Sequence, residues 1–170
     1  MLVGAVPGMR RDARLAPAVL ALGLRLGIGG VLVTAGILKL KAPAAFAVEI
    51  ANYQLGAWLA PYLAAVLPAV EVVVGVGIVV GPRPWRRAAA LAALVLFGMF
   101  EVAVSAAYLR GINIDCGCFG TGGGPITLVT VLRNALFMAA AAILLRLEGA
   151  VRYDGRVRRA APGPQQGSSP

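Results

Sequence analysis

The chain has 170 residues, of which 59% are hydrophobic, and its 16 Lys and Arg against 7 Asp and Glu give a net charge of +9. With a mean hydropathy of +0.83, this composition excludes an ordinary water-soluble domain, which is far more polar. The basic residues are divided among separate segments between apolar runs, so we expect a membrane protein that does not bind nucleic acid.

Four apolar segments, at about 15–38, 57–80, 88–109 and 126–145, each suit a membrane-spanning helix. At 1.5 Å per residue, about 20 helical residues cross a hydrocarbon core of roughly 30 Å. The first segment is also too long for a typical signal peptide, so we expect it to be retained. The sequence therefore predicts an all-α fold, an integral membrane four-helix bundle that forms one domain over residues 15–147.

Arginines between these segments predict how the bundle is oriented. Eleven arginines fall on one side of a four-span protein: Arg10, Arg11, Arg14, Arg83, Arg86, Arg87, Arg146, Arg152, Arg156, Arg158 and Arg159. The other side carries Lys39, Lys41 and Arg110. Positive charge marks the cytoplasmic side of a cell (plasma or inner) membrane. Both termini are thus predicted to be cytoplasmic: a basic tail at 1–14, and a basic, then disordered tail at 148–170.

The first outer connection, residues 39–56, has apolar residues at helical spacing. Phe46, Ile50 and Tyr53 would share one face of a short helix, with Glu49 elsewhere. Such a helix would lie flat at the outer membrane interface. The alternative is a loop packed on the bundle.

Each apolar segment carries one charge, and charges inside a membrane usually face the bundle interior and pair. The signs and estimated depths match in two pairs, Arg25 with Glu71 and Glu101 with Arg133. One interpretation is structural, with ion pairs that fix the register of the helices, as we expect for Arg25 and Glu71. The other is functional, with Glu101 and Arg133 forming a polar wall beneath the third connection.

That third connection, predicted to be extracytoplasmic, holds both cysteines of the chain, Cys116 and Cys118. Extracytoplasmic compartments permit disulfides, and a strained, exposed disulfide is an oxidising one. Asp115 would disfavour a thiolate, whereas Arg110 and the amino end of the fourth helix would favour it. Cys116 and Cys118 are therefore the candidate catalytic redox pair, supported by Glu101, Arg133, Arg110 and Asp115.

Two other roles for the cysteines remain open. Two thiolates can hold Cu(I) or supply half of a tetrahedral metal site. The chain has no histidine and no third cysteine, so we expect no metal site within one chain. The cysteines could also be two small buried residues without chemistry.

Several short motifs support a family resemblance. They are Gly36-x-x-Lys39-Leu40 with Pro43 and Phe46, Leu67-Pro68-x-x-Glu71 with Gly75, Arg110-Gly111-Ile112-x-Ile114-x-Cys116-Gly117-Cys118-Phe119-Gly120, and Arg133-Asn134. Together they resemble the MauE (methylamine utilisation) family of DoxX-like membrane proteins. The resemblance implies a four-helix inner-membrane protein that helps to mature the disulfide-rich small subunit of methylamine dehydrogenase beside a thioredoxin-like partner. That partner would be another chain, because this one has no thioredoxin-like domain.

The sequence therefore predicts a membrane component of an extracytoplasmic thiol–disulfide relay or protein-maturation system, with oxidoreductase activity exercised on a partner. The expected partners are the lipid bilayer, a thioredoxin-like extracytoplasmic protein and a disulfide-rich client. No cofactor motif is evident, and a quinone is conceivable without any sequence support. The alternatives are a non-catalytic membrane scaffold or assembly factor, and a small-molecule or metal transporter.

Overall fold

The computed structural model describes residues 7–54, 56–112, 114, 116 and 124–160, and within these ranges the side chains between residues 16 and 149. The elements in order are α1 (Pro7–Lys41), α2 (Pro43–Asn52), a 3-10 turn (Ala57–Leu59), α3 (Ala60–Val80), α4 (Arg83–Leu109) and α5 (Leu128–Ala160). The predicted all-α fold is confirmed. Four stretches are long and apolar enough to span a membrane: Ala16–Lys41, Ala57–Val80, Arg83–Leu109 and Leu128–Gly149.

The four long helices form a bundle in which α1 and α4 each pack against both α3 and α5. The main core includes Ile28, Leu32, Ile78, Phe97 and Leu144. Large apolar side chains also cover the outside of every long helix, as at Val19, Val73, Val95 and Leu136. Helices that are apolar on all sides are typical of a bundle surrounded by lipid.

The helix ends follow local chemistry. Pro43, Pro61 and Pro84 lie in the first turns of α2, α3 and α4, where a missing N–H costs nothing. Helix α1 begins at Pro7 rather than near residue 15, and α5 continues to Ala160 rather than ending near 145. Apolar length marks only the part that suits lipid, whereas Ala- and Arg-rich flanks keep the backbone helical beyond it. The short helix predicted in the first connection is present as α2, and its Phe46 is buried.

Glycines set the register of α1 against α3. A Cβ at Gly29 would lie 2.9 Å from the Gly75 carbonyl oxygen, and one at Gly75 would lie 2.8 Å from the Gly29 carbonyl oxygen. About two helical turns after Gly29, a Cβ at Gly36 would lie 2.6 Å from the Pro68 carbonyl oxygen. Small residues allow helix backbones to approach this closely in membranes. The Gly29–Gly75 crossing therefore fixes which side chains of the two antiparallel helices meet.

The two ends of the bundle are held differently. We call the end that contains Lys41, Tyr53, Arg110 and Cys116 the cysteine end. At the opposite end, Glu148 of α5 binds arginines from two other helices. Arg25 Nε of α1 donates to Glu148 Oε1 at 2.6 Å, and Arg86 Nε of α4 lies 3.7 Å from Glu148 Oε2. One buried carboxylate thus joins three helices at that end.

Candidate functional site

The chain reaches the cysteine loop through a defined helix end. Gly111 follows α4 with φ of 65°, a conformation that glycine adopts without a Cβ clash. Its N–H donates to the Tyr108 carbonyl, and the Ile112 N–H donates to the Ala107 carbonyl, both at 3.0 Å. These two bonds are the Schellman arrangement that ends many helices. It turns the backbone of α4 back towards the bundle.

A short antiparallel pairing then closes the base of the loop. The Cys116 N–H donates to the Gly124 carbonyl at 3.1 Å, and the Ile126 N–H donates to the Ile114 carbonyl at 3.0 Å. Residues 117–123 between them, including Cys118, lie outside the described residues, as does Asp115. The role of Cys118 in a redox pair with Cys116 and the supporting role of Asp115 therefore stay predictions. What is fixed is the position of Cys116.

Helix α5 begins immediately after this pairing with a side-chain cap. The Thr127 N–H donates to Thr130 Oγ1 at 3.2 Å, which satisfies a donor at the start of the helix. The start of α5, with the positive end of the helix dipole, therefore lies at the cysteine end.

Cys116 is 4% exposed and packs in a small cluster with Val104, Ala107 and Ile126. It is disulfide-bonded, and no described cysteine is free. Arg133 of α5 approaches its sulfur, with Nη2 at 3.8 Å from Sγ. The sulfur is therefore held in a protein interior beside a guanidinium.

Tyr53, at the end of α2, holds the backbone of Cys116. Its hydroxyl donates to the Cys116 carbonyl oxygen at 2.6 Å. Burial raises the pKa of Tyr53 to about 12, and the Glu49 carboxylate adds to the effect, so the phenol stays protonated as a donor well above neutral pH. Arg110 in turn donates through Nη2 to the Tyr53 carbonyl at 2.7 Å and through Nε to the Ala106 carbonyl at 3.0 Å. Arg110 therefore supports Cys116 through Tyr53, and Arg133 is the arginine at the sulfur.

The predicted Arg25–Glu71 ion pair is wrong, since Arg25 binds Glu148 and Glu71 binds Lys39. Arg25 lies four residues before Gly29 and Glu71 four before Gly75. In antiparallel helices that cross at these glycines, the two residues lie on opposite sides of the crossing, about 12 Å apart along the axis. Depth counted from the apolar boundary misplaces Arg25, because α1 begins at Pro7, before that boundary.

The predicted Glu101–Arg133 pair is also not among the ion pairs of the described residues. Glu101 Oε1 accepts a hydrogen bond from Ser105, one turn along its own helix, at 3.2 Å. Arg133 approaches Cys116 instead. A match in depth estimated from the sequence does not determine whether two side chains face each other.

The pair that forms at the cysteine end is Lys39 with Glu71. Lys39 Nζ lies 2.6 Å from Glu71 Oε1, and the two residues are 2% and 1% exposed. The ammonium also lies 5.0 Å from the ring centre of Phe46 and 4.9 Å from that of Phe100. These contacts offset part of the cost of burying a charge. Glu71 Oε2 has no hydrogen-bond partner among the described residues.

A cavity of about 130 Å³ links this ion pair to the cysteine. Its polar lining consists of Lys39, Tyr53, Glu71, Cys116 and Asn134. Asn134 is 4% exposed, and its Nδ2 has no hydrogen-bond partner among the described residues. The rest of the wall is apolar. The cysteine end therefore encloses a largely apolar space bounded by a few convergent polar groups, the usual form of a small-molecule site.

From the sequence alone, no site role is predicted for Lys39 or Tyr53. Lys39 follows the first apolar run and so falls in the outer connection, although it belongs to the Gly36-x-x-Lys39-Leu40 motif. The spacing from Gly36 was the available signal: three residues along a helix place Lys39 on the face that Gly36 presents to α3. Tyr53 carries no signal beyond its helical spacing with Phe46 and Ile50.

Comparison with known proteins identifies the family. The sequence profile of the family described as Methylamine utilisation protein MauE matches residues 17–147. The chain belongs to the MauE family. It is also 39% identical over 132 residues to the "Methylamine utilization protein MauE" of Paracoccus denitrificans, covering 75% of this chain and 70% of that protein. No solved structure gives a significant match.

Membership of the MauE family and four helices able to span a bilayer make the chain a multi-pass membrane protein. The family match covers the whole cavity lining described above, from α1 to α5. Within the described part of the chain, no three His, Cys, Asp or Glu side chains come together as a metal site.

Proposed function

We propose that this MauE-family protein is the membrane component of a thiol–disulfide relay that serves methylamine utilisation, with Cys116 and Cys118 as its redox pair. The observation that carries the proposal is the setting of Cys116, which is disulfide-bonded, buried and contacted at its sulfur by Arg133. The methylamine context is supported by the family and by the Paracoccus denitrificans relative. The partner is a thioredoxin-like protein, which acts on a disulfide-rich client.

In the proposed step, a thiolate of the reduced partner attacks Cys118 and forms a mixed disulfide, while Cys116 leaves as a thiolate. The second thiol of the partner then attacks the mixed disulfide and releases Cys118, so that the partner becomes oxidised and the cysteine pair reduced. A thiol leaves faster when its thiolate is stabilised. The guanidinium of Arg133 at 3.8 Å supplies that stabilisation to Cys116.

The burial of Cys116 supports this division of roles. A sulfur in a residue that is 4% exposed is poorly accessible to another protein, whereas a leaving group needs no access from outside. Cys118 is therefore proposed as the sulfur that the partner attacks and Cys116 as the one that leaves.

The relay is proposed to work outside the cytoplasm of a cell membrane. The excess of arginines on the opposite side of the spans supports a cysteine end that faces outward, where disulfides persist. A membrane-impermeant maleimide should label the reduced cysteines in intact spheroplasts. Labelling only after lysis would reverse this orientation.

Trapping the mixed disulfide tests the chemistry. Each single-serine variant is first converted to a mixed disulfide between its remaining cysteine and a small aromatic thiol, which then serves as the leaving group. With a partner that lacks its own resolving cysteine, we expect Cys116→Ser to accumulate a reducible adduct, because the partner thiolate attacks Cys118 and displaces the small thiol. We expect Cys118→Ser to accumulate little, because Cys116 is buried. The double serine variant should insert and fold normally, because the helices supply its stability. If the double variant fully supports maturation of the client, the cysteines carry no electrons and the chain acts as a scaffold.

A further inference from the structure

The cavity at the cysteine end has two buried polar groups whose hydrogen-bonding capacity is unused. Glu71 Oε2 can accept a hydrogen bond, Asn134 Nδ2 can donate one, and both residues line the cavity. Buried polar atoms in proteins nearly always have partners, so these two atoms offer a ligand in the cavity one acceptor and one donor. We propose that this cavity binds the ring of a membrane-soluble quinone.

The size and lining of the cavity fit a single flat ring. Its volume is about 130 Å³, and an engineered apolar cavity of about 150 Å³ holds benzene. Phe97 and Phe137, which are stacked with ring centres 5.5 Å apart, contribute to its wall. Phe46 and Phe100 line it as well and hold the Lys39 ammonium. An aromatic wall favours a flat ring over a branched chain.

The polar groups favour a neutral ring that carries oxygen. Lys39 already neutralises Glu71, so the site needs neither a cation nor an anion from a ligand. A quinone carbonyl can accept from Asn134 Nδ2, and the hydroxyl formed on reduction can donate to Glu71 Oε2. A plain hydrocarbon ring would satisfy neither atom.

The position of the cavity explains access from the bilayer. Met99 of α4 lines the cavity and is also 43% exposed on the apolar outside of the bundle. The wall is therefore one side chain thick at this point. A ring with an apolar tail can enter from lipid and leave its tail there.

A quinone also completes the electron balance of the proposed relay, on which this part of the inference rests. Each turnover leaves two thiols, which must lose two electrons and two protons as the sulfur–sulfur bond reforms. A quinone takes up both electrons and both protons and becomes a quinol. Cys116 lines the same cavity as the ring, so donor and acceptor are neighbours.

Binding can be measured apart from redox chemistry. The protein in nanodiscs of quinone-free lipid is titrated by calorimetry with a benzoquinone that carries a short isoprenoid tail, using a variant with both cysteines changed to serine. We expect saturable binding, which Asn134→Leu weakens about tenfold and Ala103→Phe, at the cavity wall, abolishes. Val102→Phe is the matched control, because Val102 faces outward, and it should bind as the parent does.

Binding that is absent, equally strong in Ala103→Phe, or equally strong for the same tail on a benzene ring without oxygens would overturn the proposal. A thermal melt of each variant shows that the bundle is intact. If the quinone binds but no partner adduct forms in the trapping experiment, the relay fails and the binding site stands. If adducts form but no quinone binds, this inference alone fails.

Discussion

Lys39 and Glu71 form an ion pair at 2.6 Å between α1 and α3, inside the part of the bundle where almost no water reaches either residue. The pair depends on the Gly29–Gly75 crossing, which brings these helices together in one register. When one partner of such a buried pair is removed, the charge that remains is buried without compensation.

Removing one partner should therefore cost more than removing both. We expect Lys39→Leu or Glu71→Gln alone to lower the free energy of unfolding by about 3–5 kcal/mol, because the remaining charge is buried alone. The double variant should lose less than the sum. The free energy of unfolding is measured in mixed detergent micelles for the parent, the two single variants and the double variant. The control cycle combines Arg25→Leu with Glu71→Gln, whose effects should add; additivity in the Lys39–Glu71 cycle would contradict the pair.

Helix contact through glycine predicts opposite effects for two alanine substitutions. Gly75→Ala places a Cβ 2.8 Å from the Gly29 carbonyl oxygen and 3.0 Å from the Val33 nitrogen, so we expect a loss of about 1–3 kcal/mol in unfolding free energy. Gly23→Ala in α1 has no atom within 4 Å of the new Cβ, so it should raise the free energy of unfolding by up to about 1 kcal/mol. Equal melting temperatures for the two variants would mean that the helices do not approach as described.

The phenol of Tyr53 should lose its proton at a higher pH than an ordinary tyrosine does. Its pKa of about 12 lies above the ordinary value of 10.0, so the folded protein favours the neutral phenol. The resulting stability is fully present below about pH 10 and is lost as the pH rises towards 12. Tyrosinate absorbance of the parent minus that of Tyr53→Phe should develop near pH 12. A difference that develops near pH 10 would place the phenol in water.

The same substitution should also weaken the cysteine loop. Tyr53→Phe removes the donor to the Cys116 carbonyl, and we expect a loss of about 1–2 kcal/mol in unfolding free energy. Tyr62→Phe is the control, because Tyr62 is exposed on the bundle surface. A loss of the same size for both would show that the hydroxyl bond contributes nothing specific.

Arg133 should control how readily Cys116 reacts. In reduced protein with Cys118→Ser, we expect Arg133→Leu to slow alkylation of Cys116 by a small reagent about tenfold at neutral pH, since a nearby cation favours the thiolate. Arg133→Lys retains the charge and should react nearly as the parent does. Arg110→Leu should change the rate less, because its guanidinium binds carbonyls and not the sulfur. Equal rates for the two leucine variants would remove the role assigned to Arg133.

The all-α architecture could be predicted because apolar length and composition determine a membrane bundle almost alone. Cys116 was identifiable for a similar reason, since the chain has only two cysteines and both belong to one motif. The ion pairs could not be predicted from depth. Depth fixes a position along one helix axis, whereas pairing depends on rotation about that axis and on the offset between helices. The offset here is set by Gly29 and Gly75, whose close approach no composition reveals.

The cavity was beyond sequence reasoning for another reason. Its lining comes from all five helices and from two connecting segments, so it exists only once the helices are assembled. Asn134 illustrates the difficulty, because an amide beside an arginine in a helix has no periodic signature. Its unused donor is visible only when its neighbours are known.

The carboxylate of Glu148 links the helices more extensively at one end of the bundle than they are linked at the other. Glu148 links three helices, α1, α4 and α5. At the cysteine end the Lys39–Glu71 ion pair links only α1 and α3, and the other side-chain bonds donate to single carbonyls beside the cavity. We therefore expect the helices to separate more readily at the cysteine end than at Glu148 when a ligand enters or Cys116 moves. Amide hydrogens near Lys39 and Asn134 should exchange with solvent sooner than those near Glu148, although all three residues are buried.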